Sequence, residues 1–183
     1  MNNTKTVIRF FTIADYEEEE IWLREQHKQG WKFSKMILPC FFIFEKCTPE
    51  DVIYRLDYKN NTETSNYFQI FQDYGWEYVA RCTGWLYFRK PASNIESEQD
   101  GEIFSDNESR ISLIDSVIKT RLLPVIVIFF CCLLPNLIKS MDNRLFFSTG
   151  FTILFGILTM LYLFLVIHCS VKLKKLKKKY KNE

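Results

Sequence analysis

The residues whose types could do chemistry are few: two histidines, six cysteines, a run of glutamates and a lysine-rich end. Cys40, Cys47, Cys82 and His27 could in principle supply four metal ligands, but they include no CxxC pair and their spacing fits no zinc motif. With only His27 and His168, no Ser/His/Asp or Cys/His arrangement can be assembled for nucleophilic catalysis. Six glycines leave no room for a phosphate-binding loop of the P-loop or dinucleotide kind. The acidic run Glu17 to Glu20 would need convergence to hold a cation, whereas consecutive helical residues diverge around the axis. Its simpler explanation is the first turn of a helix capped by Asp15, where the macrodipole favours negative charge. The expectation is therefore no catalysis, no metal and no cofactor.

The lysines imply a different chemistry, that of a membrane surface. Lys172, Lys174, Lys175, Lys177, Lys178, Lys179 and Lys181 follow two charge-free stretches, Leu122 to Ile138 and Leu145 to Val171. The first reaches roughly 25 Å as a helix, near the lower limit for crossing a bilayer core, and the second is long enough to tilt. Pro124 suits a first helical turn, whereas Pro135 should kink or end the helix near Asn136. Only Lys139 to Arg144 separate the stretches, which predicts a hairpin with both chain ends on one side. The lysine excess at the C-terminal flank puts that side in the cytoplasm. Cysteines without a disulfide framework agree with a reducing compartment. Close to an anionic leaflet each lysine contributes on the order of 1 kcal/mol, so the tail is expected either to pin the chain to lipid or simply to fix its topology.

Upstream, a unit of strand, helix, strand and strand occurs twice. Gly30-Trp31 returns as Gly75-Trp76, and Phe44-Glu45-Lys46 as Phe88-Arg89-Lys90. Each Gly is placed to end its helix in a left-handed cap, and each Trp to open a strand. The first strands of the copies read as Thr6 to Ile13 and Val52 to Tyr58. Helix two carries Tyr67, Ile70, Phe71 and Tyr74 as one apolar stripe, while helix one has Glu25, Gln26 and Gln29 where helix two has Ile70, Phe71 and Tyr74. Helix one is thus expected to be the more weakly anchored. The fold class is α+β: a duplicated unit forming a mostly antiparallel sheet with two helices on one face, followed by a two-helix transmembrane hairpin.

The strands carry large side chains on both faces. Val52, Tyr54, Leu56 and Tyr58 lie on one side with Trp85, Tyr87 and Arg89 falling on one side of theirs, against Ile53, Arg55 and Asp57, and Leu86, Phe88 and Lys90. If one face meets the helices, the other displays aromatics among basic residues. Trp31, Tyr54, Arg55, Trp76, Trp85, Tyr87 and Arg89 are accordingly the interaction candidates, either for a protein or ligand, as cover for a half-exposed sheet, or as packing against a second protomer. The acidic balance of this part argues against nucleic acid. The domains expected are a duplicated cytoplasmic module at 1–90, a polar linker at 91–104, a juxtamembrane amphipathic helix at 105–121 opened by a Ser105/Glu108 capping box, the hairpin at 122–171 and the tail at 172–183.

Five stretches carry a family likeness: Glu20-Ile21-Trp22-Leu23, Gly30-Trp31, Tyr54-Arg55-Leu56-Asp57, Trp85-Leu86-Tyr87-Phe88-Arg89-Lys90-Pro91 and Ile103-Phe104-Ser105-Asp106-Asn107-Glu108-Ser109-Arg110-Ile111. Over roughly residues 9 to 115 the chain resembles the domain-of-unknown-function 2812 family of uncharacterised bacterial membrane proteins. The resemblance implies a cytoplasmic α+β domain followed by membrane helices, in Gram-positive bacteria, often encoded beside a PadR-type regulator. It implies no activity and no catalytic residues. The function expected is a membrane-anchored regulatory or interaction domain without catalysis, binding a protein or ligand through the aromatic sheet face. Alternatives are an accessory subunit of a membrane transporter, or an enzyme on a membrane-derived substrate with a polar pocket lined by Asp57, Arg55 or Glu45.

Overall fold

The computed structural model of the chain describes residues 3–59, 65–97, 99–104, 106–136, 138 and 149–182. They form two compact units, Met1–Leu113 and Ile114–Glu183.

The first unit contains the doubled order. One copy is β1 (Thr4–Ile8), α1 (Tyr16–Lys28), β2 (Trp31–Ile37) and β3 (Phe41–Lys46); the other is β4 (Val52–Tyr58), α2 (Ser65–Asp73), β5 (Glu77–Cys82) and β6 (Trp85–Pro91). Each copy makes an antiparallel three-stranded sheet of its own, ordered β1-β3-β2 and β4-β6-β5, so the expected sheet is divided in two. In both, the last strand is central, because it pairs with its hairpin partner on one side and with the returning first strand on the other. The register slips between Phe33 and Lys35 in β2, and between Tyr78 and Ala80 in β5, the same place in each copy. The first strand, expected as far as Ile13, stops at Ile8, whose partner Phe41 is the first residue of β3.

Both glycine caps are present. Gly30 has φ +85° and Gly75 φ +78°, conformations that cost an L side chain energy. At the end of α2, Trp76 N donates to Phe71 O and Gly75 N to Gln72 O, the paired bonds of a Schellman motif. At α1, Asp15 occupies the cap position, but its carboxylate turns back to accept from Thr12 N and Oγ1 at 2.7 and 2.6 Å, and makes no bond to the helix amides.

The helices do not share a face. Tyr67 and Phe71 of α2 pack on Phe88, beside Trp76 and Leu86. On the opposite face of the same sheet, Tyr16 of α1 stacks on Trp85, and Glu19 and His27 meet Tyr87 and Tyr54. The Trp22 side of α1 meets Phe42 and Phe44 of the other sheet. Contrary to the expectation of weak anchoring, α1 buries Tyr16, Glu19, Glu20, Trp22, Leu23 and His27, since it is in contact with both sheets. In α2, by contrast, Ile70 and Tyr74 leave the sheet and are 55% and 71% exposed.

The expected linker is folded onto the module. Short 3₁₀ turns form at Ala92–Asn94 and Gln99–Gly101, and Ile103 packs on the Trp76, Leu86 and Phe88 cluster.

A helix that starts in the first unit runs without interruption over Asn107–Asn136, and another covers Thr149–Asn182. Both are long and apolar enough to cross a membrane. Ser105 of the expected capping box lies outside the described residues; Asp106 Oδ1 accepts from Ser109 N at 2.7 Å. Because the first helix begins at Asn107, Pro124 sits deep inside it and not in a first turn. Ile118–Leu122 and Phe129–Leu133 are π-helical, and Leu123 N and Leu134 N reach back five residues to Ile118 O and Phe129 O. Each widened turn immediately precedes a proline, Pro124 or Pro135, where the ring would collide with the carbonyl four residues before it. Asn136 Nδ2 donates to Cys132 O at 2.7 Å next to the second proline.

The two long helices are antiparallel. Phe129 stacks on Tyr162 with ring centroids 5.6 Å apart, and Lys177 Nζ meets Asp115 at 2.6 and 2.8 Å. That register sets Leu122, where the first charge-free stretch begins, opposite the end of the second at Val171. The loop between them, with Lys139 and Arg144, lies outside the described residues. The lysine-rich tail is the last three turns of the second helix, with Leu173, Leu176 and Tyr180 buried and Lys174, Lys175, Lys178, Lys179 and Lys181 exposed.

Candidate functional site

The aromatic face expected to be displayed is interior. Tyr54 and Tyr87 are 0% and 1% exposed, and Trp85 is buried between Tyr16 and Tyr58. Phe33 from β2 also reaches Tyr54 and Tyr87. This corrects the sequence reading: α1 and β2 of the first copy cover the face that the second copy's own helix leaves open. Arg89, on the same face, is held by Glu77 at 2.7 and 2.6 Å. Trp76 is buried on the opposite face in the α2 core, and Trp31 is half-buried with Lys5 Nζ 5.3 Å from its ring. Arg55 lies at the sheet edge. The seven candidates therefore do not converge on one surface.

What α1 brings to this interior is polar. Tyr87 O–H donates to Glu19 Oε1 at 2.7 Å. Burial pushes the Glu19 carboxyl up to about 7, with the Tyr87 bond opposing and Asp15 adding to the rise. Glu20 Oε1 accepts from Leu56 N at 2.7 Å, satisfying an amide on the outer edge of β4, and its other oxygen meets Arg55 Nη1 at 3.3 Å. Burial raises the Glu20 carboxyl, against the pull of Arg55 and the Leu56 amide. His27 Nδ1 and Tyr54 Oη are 2.8 Å apart, and burial lowers the imidazole. Each of these groups is spent on an internal bond.

Arg55 joins three elements. Besides Glu20 it holds Glu102 through Nε and Nη2 at 3.1 and 2.7 Å, and Glu102 in turn meets Arg110 at 2.8 Å. Asp57 accepts from Tyr58 N at 2.7 Å and from the Tyr67 hydroxyl. Glu45 is on the other sheet, 3.2 Å from Lys32. Of the three residues named for a polar pocket, Arg55 lines an open cleft of about 500 Å³ with Glu102, Asp106 and Arg110, in which neither Asp57 nor Glu45 takes part. Among the described residues, no group of His, Cys, Asp and Glu is arranged to hold a metal ion.

A cleft of about 490 Å³ opens beneath the end of α2. Its apolar wall includes Ile70, Phe71, Tyr74 and Trp76, and Lys90 stands within it. Lys90 is only 6% exposed; its Nζ donates to Tyr74 O at 3.0 Å and Asp100 O at 3.4 Å, and lies 5.9 Å from the Trp76 ring centroid. Sequence reasoning passed over this lysine. The signal was its position in the alternation, on the same side of β6 as the core residues Leu86 and Phe88.

On the second helix the exposed lysines form a cationic side, but Lys177 is directed to Asp115 and Lys172 is half-buried, so these two depart from the expected lipid-facing set.

Comparison with protein families matches residues 15–127 to the family described as protein of unknown function (DUF2812). No curated protein and no solved structure matches the chain.

Proposed function

Because the chain belongs to the DUF2812 family, with a match that runs from the α+β unit into the first long helix, we propose that it is a membrane-anchored module that works by binding on the cytoplasmic side and not by catalysis. The observation that carries this reading is the helix Asn107–Asn136. It begins among residues of the α+β unit and continues unbroken as far as Asn136, within the charge-free stretch. A cytoplasmic event at the module is thereby linked to the membrane through continuous helical backbone. The exposed lysines of the second helix support the orientation, since positive charge is retained on the cytoplasmic side. A non-catalytic role is supported by Glu19, Glu20 and His27, whose buried polar atoms are engaged with Tyr87, Leu56, Arg55 and Tyr54.

The test is protection from an impermeant protease in intact cells carrying the full chain. The first hundred residues stay intact until the membrane is permeabilised, as followed by an antibody to the module. Cleavage in intact cells would place the module outside and overturn the orientation; recovery of the chain in the soluble fraction would overturn the anchor.

A further inference from the structure

The two residues of the α2 stripe that leave the sheet and the buried lysine of β6 meet in one place. Ile70 and Tyr74 are exposed at the rim of the cleft, Phe71 and Trp76 form its wall, and Lys90 supplies a cation inside it. A lysine ammonium has three donors, of which the two bonds to Tyr74 O and Asp100 O use two. Among the described residues Lys90 has no carboxylate partner. The acids at the cleft are engaged elsewhere: Glu102 with Arg55 and Arg110, and Asp100 Oδ2 with Glu96 N at 3.3 Å. A buried ammonium held by two carbonyl dipoles and the face of Trp76, with no counter-charge, favours an anion within reach, and the surrounding low dielectric strengthens that preference.

We propose that the cleft between the end of α2 and the turn at Gln99–Gly101 binds a small amphipathic carboxylate, its head on the Lys90 ammonium and its apolar body against Trp76, Phe71, Ile70 and Tyr74. The ligand is a monoanion. One remaining ammonium donor, with the Gln99 amide at the rim, suits a carboxylate, whereas a phosphate dianion needs more donors and would meet Asp100 and Glu102. The volume accommodates an apolar body of modest size. The site lies wholly within the α+β unit, so the inference holds whichever side of a membrane the unit occupies.

Octanoate titrated into the full chain in nanodiscs, followed by tryptophan emission and by calorimetry, tests the site. The expected result is a saturable change that disappears in Trp76→Phe emission but persists in its calorimetry. Octanamide, of the same shape but neutral, binds about 10-fold or more weakly, as expected for loss of a charged hydrogen bond, and inorganic phosphate does not compete. Lys90→Met abolishes binding. Since Lys90 also ties down the end of α2, Tyr74→Ser at the exposed rim serves as the second variant and weakens octanoate binding several-fold with unchanged circular dichroism. Equal binding of octanamide and octanoate, competition by phosphate, binding indifferent to both variants, or no saturable binding to the folded wild-type chain would each overturn the proposal.

Discussion

The two copies of the repeated unit have the same strand order, the same bulge position and the same glycine cap, yet their helices live in different surroundings. α1 touches both sheets and buries three ionisable side chains; α2 covers one face of one sheet and leaves part of its apolar stripe at a cleft. Duplication therefore repeats a backbone plan without repeating an environment. The helix with the more polar sequence became the interior one, because Tyr54, Tyr87, Arg55 and the Leu56 amide provide partners for its polar groups. The helix with the more apolar sequence was left with surface to spare. Interior polarity fixes how the copies meet, and exposed apolarity creates a place for a ligand.

The comparison can be broken most forcefully at Arg55. Arg55→Leu leaves the buried Glu20 carboxylate without its cation, and a loss of about 3–5 kcal/mol in unfolding free energy is expected by denaturant titration. If Arg55→Leu and a surface control unfold alike, polar partners are not what secures α1. Next comes a matched pair. Leu23→Ala, at a fully buried α1 position, should cost about 2–5 kcal/mol, whereas Ile70→Ala on the exposed rim of α2 should cost well under about 1 kcal/mol. Equal costs in calorimetric unfolding would mean that the two helices are anchored alike.

A pH series sharpens the same contrast. Burial lifts the folded-state Glu19 carboxyl from 4.5 to about 7, so the folded chain holds this proton more tightly than the unfolded one. Its contribution is fully present below about pH 4.5 and is lost as the pH rises through about 7. The midpoint of thermal unfolding should fall across that window, and Glu19→Gln should flatten the slope. An unchanged slope in Glu19→Gln would assign the pH dependence elsewhere. The smallest effect separates the two caps. Gly30→Ala and Gly75→Ala both suffer the positive φ, roughly 1–2 kcal/mol. At Gly30 the new Cβ would also sit 3.1 Å from the Cys47 backbone carbonyl, whereas at Gly75 the nearest atom belongs to the yielding Lys90 side chain. Gly30→Ala should be the worse by a further fraction of a kcal/mol, measured by denaturant midpoint.

Much of the plan was legible in the chain itself. Strand β4 has the expected bounds, the glycines end their helices where the Gly-Trp pairs placed them, and the described residues of the charge-free stretches lie in helices of spanning length. Periodicity reports which side of an element is apolar, however, and not which distant element will cover it. Tyr87 and Glu19 are separated by 68 positions, and Leu56 and Glu20 by 36. No local pattern announces such pairs, so the face around Tyr54 and Tyr87 looked available when it was already occupied by the other copy. Lys90 was placed with Leu86 and Phe88 by the alternation but given no role, since only the carbonyls at the end of α2 and at Asp100, both brought in by the fold, hold its ammonium inside.

The widened turns of the first long helix have a mechanical consequence. Pro124 and Pro135 stand eleven residues apart, close to three whole turns, so the places where the backbone ladder is loosened fall on nearly the same stripe. A rod slackened twice along one side yields more readily in one plane than in any other. Tilting at one end of the helix would then be passed along it as a bend of fixed azimuth, giving the rod a sense of direction.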